Sequence, residues 1–222
     1  MRFYRILISA AIAALSGLGL NAVKPIETGV NEYIALLEAT GRQMFAFDVS
    51  EFSDSARTVM IELREYAGDT LAAKTVKFPV KSVEYRDVDD MIMSGFDADD
   101  FEDADKGIFR TLKQINVGFS CAPGDSLATI VIDIPEVMTA PVVRKLRPVT
   151  NEEGKPQYFY APFACMDFGD AKSGVFTPLA VLASGWFDPK INRLRACGNG
   201  NSVTKESPHY FVVGISVKNR QR

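Results

Sequence analysis

One histidine, His209, is all that the chain has for imidazole chemistry. That count removes whole classes of enzyme. A zinc site of three histidines, or of two with a glutamate, cannot be built. A Ser-His-Asp triad or a Cys-His pair would have to run through His209, because histidine usually takes the proton in both. Cys121 with His209 is the specific version of such a pair. His209 follows Pro208 and opens the strand-like run from Tyr210 to Val217, where a partly exposed structural histidine is ordinary. Neither residue sits in a local nucleophile signature. Pro123-Gly124-Asp125-Ser126 is a turn and lacks the Gly-x-Ser-x-Gly elbow, and Asp167-Phe168-Gly169 has no phosphate loop or His-Arg-Asp beside it.

Carboxylates are the second resource. Asp97, Asp99, Asp100, Glu102, Asp103 and Asp105 crowd into nine residues. Calcium takes roughly six to eight oxygens, so Asp99, Asp103 and Asp105 are candidate ligands for a weak extracellular site. The EF-hand spacing fails. With Asp103 as the first position, Gly107 falls fifth and Gln114 twelfth, where acids belong. The plainer reading is the acidic first turn of a solvated helix. Calcium is the one cofactor considered; no other is indicated.

Three aromatic residues could stack on a ligand. Trp186 is the lone tryptophan, and Tyr158 and Tyr160 share one face of a strand. Flat amphipathic rings suit a carbohydrate, although the same rings more often fill a sandwich core or its rim.

Cys121, Cys165 and Cys197 are the disulfide candidates. An odd number leaves one thiol unpaired within the chain, and spacing alone does not choose the pair. Phe119-Ser120-Cys121 and Phe163-Ala164-Cys165 echo each other, and each is followed shortly by Gly-Asp. Residues two apart in a strand share a face, so both cysteines are expected to point inward.

The elements that must position these residues begin after an export signal. Arg2 and Arg5 precede Ile6 to Leu20, which carries no charge, and Asn21-Ala22 closes the stretch. A basic start, a short apolar run and a small residue at the cut make residues 1–22 a secretory signal peptide. The apolar run is shorter than the roughly 20 residues of a spanning helix. No second run could span a bilayer. The mature protein is therefore expected outside the cytoplasm, in a periplasm or beyond, without a membrane span.

Residues 23–222 read as a single β-rich domain. The whole chain carries 25 basic and 28 acidic side chains, a net charge of −3. Residues 1–22 hold two of the bases and no acid, which leaves residues 23–222 at −5. Mild acidity without a basic cluster argues against a nucleic-acid partner. Val59, Ile61 and Leu63 alternate with polar neighbours, as do Ala128, Ile130 and Ile132. Further strands are expected near 71–80, 82–88, 157–168, 174–187 and 209–218. Residues 31–49 read either as a helix over Asn31 to Ala39 stopped by Gly41 or as a hairpin turning at Thr40-Gly41, and the short connection to the strand-like 43–49 favours the hairpin.

One segment differs. Phe101, Ile108, Leu112 and Ile115 fall on one helical face, with acids first and bases later, which predicts a short helix over 99–116. The fold class is mainly β: an antiparallel sandwich, or an open barrel, with that one helix. Three functions follow from these features. The first is an exported, non-enzymatic binding or structural protein of the cell envelope, whose partner is a glycan or an envelope protein. The second is a carbohydrate-binding module using Trp186, Tyr158 and Tyr160. The third is a carboxylate-based or calcium-assisted hydrolase.

Overall fold

Alternation along the chain sets the two layers. A computed structural model describes residues 37–52, 57–165 and 174–219. The signal segment 1–22 and Asp167-Phe168-Gly169 lie outside the described residues. The first half of the strands is β1 (Arg42–Asp48), β2 (Arg57–Ala67), β3 (Thr70–Leu71), β4 (Val76–Val80) and β5 (Val83–Tyr85). Helix α1 (Val88–Met93) precedes β6 (Phe101–Asp103), β7 (Ile108–Arg110), β8 (Gln114–Ser120), β9 (Leu127–Ile134) and β10 (Met138–Lys145). Then come β11 (Val149–Thr150), β12 (Pro156–Gln157), β13 (Tyr160–Ala164), β14 (Phe176–Ser184), β15 (Trp186–Asp188) and β16 (Arg193–Arg195). Helix α2 (Gly200–Glu206) leads into β17 (His209–Asn219).

Two antiparallel sheets carry the architecture. One has the order β1-β8-β9-β10; the other runs β13-β14-β17-β2-β3, with β4 also on β2. Their inner faces meet in one core. β9 sends in Ala128, Ile130, Ile132 and Ile134, and β8 sends in Ile115, Val117 and Phe119. Val59, Ile61 and Leu63 of β2 face them, with Phe211, Val213, Ile215 and Val217 of β17. Burying three isoleucines on one strand contributes on the order of 5–9 kcal/mol, comparable with a domain's whole net stability. A one-residue slip of β9 would expose all three, so the register is fixed. The result is a β-sandwich, as the patterning predicts.

The outer face of the larger sheet carries a second, smaller cluster. Val181, Ala183, Tyr210 and Val212 pack there with Cys165 and with Val203 of α2. This is why β17 is buried on both faces. α2 starts on Asn199, whose side chain accepts from the N–H groups of Asn201 and Ser202.

The helix predicted over 99–116 is not formed. Ala98–Asp100 makes a single 3-10 turn, closed by a capping box between Asp97 and Asp100. Strands β6 and β7 and the start of β8 follow. Gly107 explains part of the difference. It takes left-handed backbone (φ 63°), and a Cβ there would lie 2.4 Å from Arg86 O. The chain must therefore turn where a helix would run straight. Phe109, off the predicted helical face, is buried beside Phe101 at 5.7 Å between ring centroids. Tertiary packing overrode local spacing here. The short helices are α1 and α2 instead.

The expected hairpin over 31–49 is also corrected. Residues 37–39 are helical, and Gly41 (φ 71°) ends that turn against Cys121 O. Among the described residues β1 pairs with β8. Residues 31–36 lie outside the described residues. Within the described residues, no helix is long and apolar enough to cross a membrane.

Candidate functional site

The inward face of β2 continues one residue pair past Leu63, to Glu65. An acid at an inward position needs a partner, and Glu65 finds the histidine. His209 Nε2 lies 3.1 Å from Glu65 Oε1, while His209 Nδ1 lies 2.6 Å from the Tyr160 hydroxyl. Tyr160 Oη also accepts from Arg147 N at 3.0 Å. Ser184 and Ser207 hold the backbone of His209, accepting from its N–H at 3.2 Å and donating to its carbonyl at 2.9 Å. The imidazole is wedged edge-on against the rings of Tyr160 and Phe211.

This histidine is 2% exposed, not partly exposed as its place after Pro208 suggests. Burial lowers its pKa, with the Glu65 carboxylate pulling the other way. Burial likewise pushes Tyr160 up to about 12. Both ring nitrogens are engaged, so neither is left for a thiol. Cys121 is itself unsuited to attack, because burial pushes its thiol up to about 11. The Glu65–His209–Tyr160 group is a polar tie between strands, sealed at the imidazole, while the Glu65 side chain stays 17% exposed.

The other sequence candidates are scattered. Tyr158 and Tyr160 pack against the sandwich core, whereas Trp186 packs against the outer cluster. The three rings therefore pack against two different clusters. Arg195 stands over the Trp186 ring at 5.6 Å. Asp99 and Asp105 are exposed, and Asp103 is tied to Lys106 at 2.6 Å, which lowers its pKa. Among the described residues no three His, Cys, Asp or Glu side chains converge as a metal site.

All three cysteines are free thiols. The Phe-x-Cys echo fails in three dimensions. Phe119 and Cys121 pack into the sandwich core, while Phe163 and Cys165 pack into the outer cluster on the far side of the larger sheet. Cys197 is exposed, with Arg195 Nη2 at 2.7 Å from its sulfur.

The structure offers a cleft that no sequence motif marks. It encloses about 650 Å³. The small sheet β5-β7-β6 supplies Glu84, Arg86, Phe109 and Arg110; the turn after α1 supplies Gly95 and Phe96; the β9–β10 hairpin supplies Ile134, Glu136 and Val137. Phe96 and Phe109 meet edge to face at 5.3 Å. Glu136 takes left-handed backbone (φ 64°), a conformation that costs a non-glycine residue about 1–2 kcal/mol.

Charge in the cleft is nearly self-compensated. Arg86 donates from Nε to Glu84 at 2.9 Å, and Lys113 pairs with Asp100. Arg110 has no ion-pair partner among the described residues, and its Nε is buried without an acceptor. An unmet buried donor costs about 1–3 kcal/mol. No histidine or cysteine lines the cleft. Its lining mixes charged, polar and apolar side chains.

Comparison with known proteins adds a family but no activity. No curated protein and no solved structure matches the chain. Residues 17–219 match the model of a domain of unknown function, DUF5041, and the chain belongs to that family.

Proposed function

We propose that the protein is exported and works by binding a small ligand in the cleft beside Arg110, without transforming it. The observation that carries this reading is that Arg110 has no ion-pair partner among the described residues, in a cleft whose other two cations are matched. The one histidine supports it, because His209 is enclosed and has no route to a substrate. Export rests on the signal-like residues 1–22.

Two measurements test it. A fragment library followed by amide chemical shifts should perturb Gly95, Lys113, Gln114 and Val137 together. Shifts confined to other surfaces, or no shifts, overturn the cleft. Full-length chain expressed in a bacterium should be recovered from the periplasm lacking residues 1–22 by mass; intact chain in the cytoplasm overturns export.

A glycan-binding reading keeps one specific support. Tyr66 and Tyr210 stack at 5.1 Å beside a shallow groove lined by Phe176, Asn201 and Thr204. Trp186 packs against the same cluster. Binding on a glycan array that is lost in Tyr66→Ala would favour this groove over the cleft.

A further inference from the structure

We propose that the cleft takes a small organic monoanion: a carboxylate docked on Arg110, carried on an apolar or aromatic body. The inference rests on the cleft being the ligand site. Three cations line the cleft, and two acids inside it match two of them. Among the described residues the pairs Arg86–Glu84 and Lys113–Asp100 hold their charges, and Arg110 has no ion-pair partner, so a ligand meets one guanidinium that is not already held. One such cation is matched by a single negative charge. A phosphate, with nearly two, would leave charge unmet beside the exposed Glu136 carboxylate. The remaining acid, Glu136, stands exposed on the hairpin lip.

Guanidinium geometry selects the same class. The planar fork of arginine accommodates both oxygens of a carboxylate. Nε of Arg110 is shielded from solvent, so the ligand meets the guanidinium at its terminal nitrogens. Beside the polar Ser94, Thr111 and Gln114, the lining offers the apolar side chains of Met91, Phe96, Phe109, Ile134 and Val137. These side chains would cover a ring or short alkyl body and exclude water from the ion pair, which strengthens it.

The test uses three probes of one shape on the whole protein: benzoate, its neutral amide benzamide, and phenylphosphate. Each is titrated while amide shifts and the Arg110 Nε–H signal are followed. Benzoate should move the Arg110 signal and the amides of Gly95 and Lys113. Benzamide should bind about tenfold or more weakly. Arg110→Gln should weaken benzoate by about 10- to 100-fold. Lys155→Gln, whose side chain does not line the cleft, should leave it within about twofold. Arg110→Lys keeps the charge without the fork and should fall between; it also serves if Arg110→Gln melts early. Equal binding of benzoate and benzamide overturns the anion while the cleft stands. Tighter binding of phenylphosphate overturns the single charge. If benzoate moves nothing while neutral fragments still shift cleft amides, the anion falls alone. If no fragment shifts the cleft, both readings fall.

Discussion

Tyr160 Oη stands 2.6 Å from His209 Nδ1, and the Glu65 carboxylate on the opposite ring nitrogen fixes which nitrogen carries the proton. Nε2–H is given to Glu65 Oε1 at 3.1 Å, so Nδ1 is the acceptor and the tyrosine donates to it. Arg147 N–H then donates to the same hydroxyl at 3.0 Å. The chain of bonds links β2, β13, β17 and the turn before β11. Removing the hydroxyl leaves an imidazole nitrogen and a backbone N–H without partners. Tyr160→Phe should therefore cost about 1–3 kcal/mol in urea unfolding. A loss below about 0.5 kcal/mol would mean that water replaces the hydroxyl, and the sealed character of the site would be wrong.

The same enclosure makes stability depend on pH. His209 is held below its ordinary value of 6.5, first by burial. The unfolded chain then binds the proton more readily than the folded one. The contribution is complete above about pH 6.5 and is lost as pH falls from there through the lower folded value. Urea midpoints should drop between about pH 7.5 and 5.5. His209→Gln should flatten that slope, since the carboxylates titrate below this window. An equally steep slope in the variant would assign the effect to other groups.

A second polar group is buried on the outer face of the larger sheet. Glu62 is 4% exposed. Burial works to raise its pKa, but Ser216 Oγ at 2.6 Å, Arg64 at 2.9 Å and the charges of Arg64 and Lys77 outweigh it, and the pKa is lowered. Arg64 in turn lies over the Phe176 ring at 3.7 Å. Ser216→Ala should destabilise by about 1.5–3 kcal/mol, because it removes a hydrogen bond to a charged acceptor. In a Glu62→Gln background the loss should shrink. Strictly additive losses in that double-mutant cycle would show that the two side chains do not couple.

The thiols give a chemical count. Cys197 is exposed, Cys121 half-buried and Cys165 buried. Burial pushes the Cys121 and Cys165 thiols each up to about 11, so neither forms thiolate at neutral pH. A thiol reagent should label one cysteine quickly in the native protein and all three after denaturation. A single label after denaturation without reductant would reveal a bridge and contradict the free thiols.

The strands that alternate cleanly were legible in the sequence. Val59, Ile61 and Leu63, and Ala128, Ile130 and Ile132, occupy the inward positions that their spacing implies. The segment 99–116 was not. Its apolar residues fit a helical face by spacing, while the backbone needs of Gly107 and the burial of Phe109 are set by partners distant in sequence. The cleft was hidden for the same reason. Arg110 lies inside that misread segment, and the walls come from five separate stretches between Glu84 and Val137. His209 was legible as a residue of interest but not as a buried one, because Glu65 and Tyr160 enclose it from strands far away in the chain. One local signal did exist: Glu65 falls at the next inward position after Leu63 on β2. A charge there implies a partner on a facing element.

β17 stands between β14 and β2 in the larger sheet, and Ser216 meets Glu62 across 154 residues. Among the described strands it is also the last to leave the ribosome. Until it does, β2 and β14 have no middle neighbour, and the core lacks Phe211, Val213, Ile215 and Val217. A nascent chain therefore has little to close upon, and pairings of such long reach form slowly once they can form. Under the proposal that the protein is exported, this late closure has a use. It keeps the chain threadable through a narrow channel until β17 has emerged, and lets the sandwich assemble on the far side.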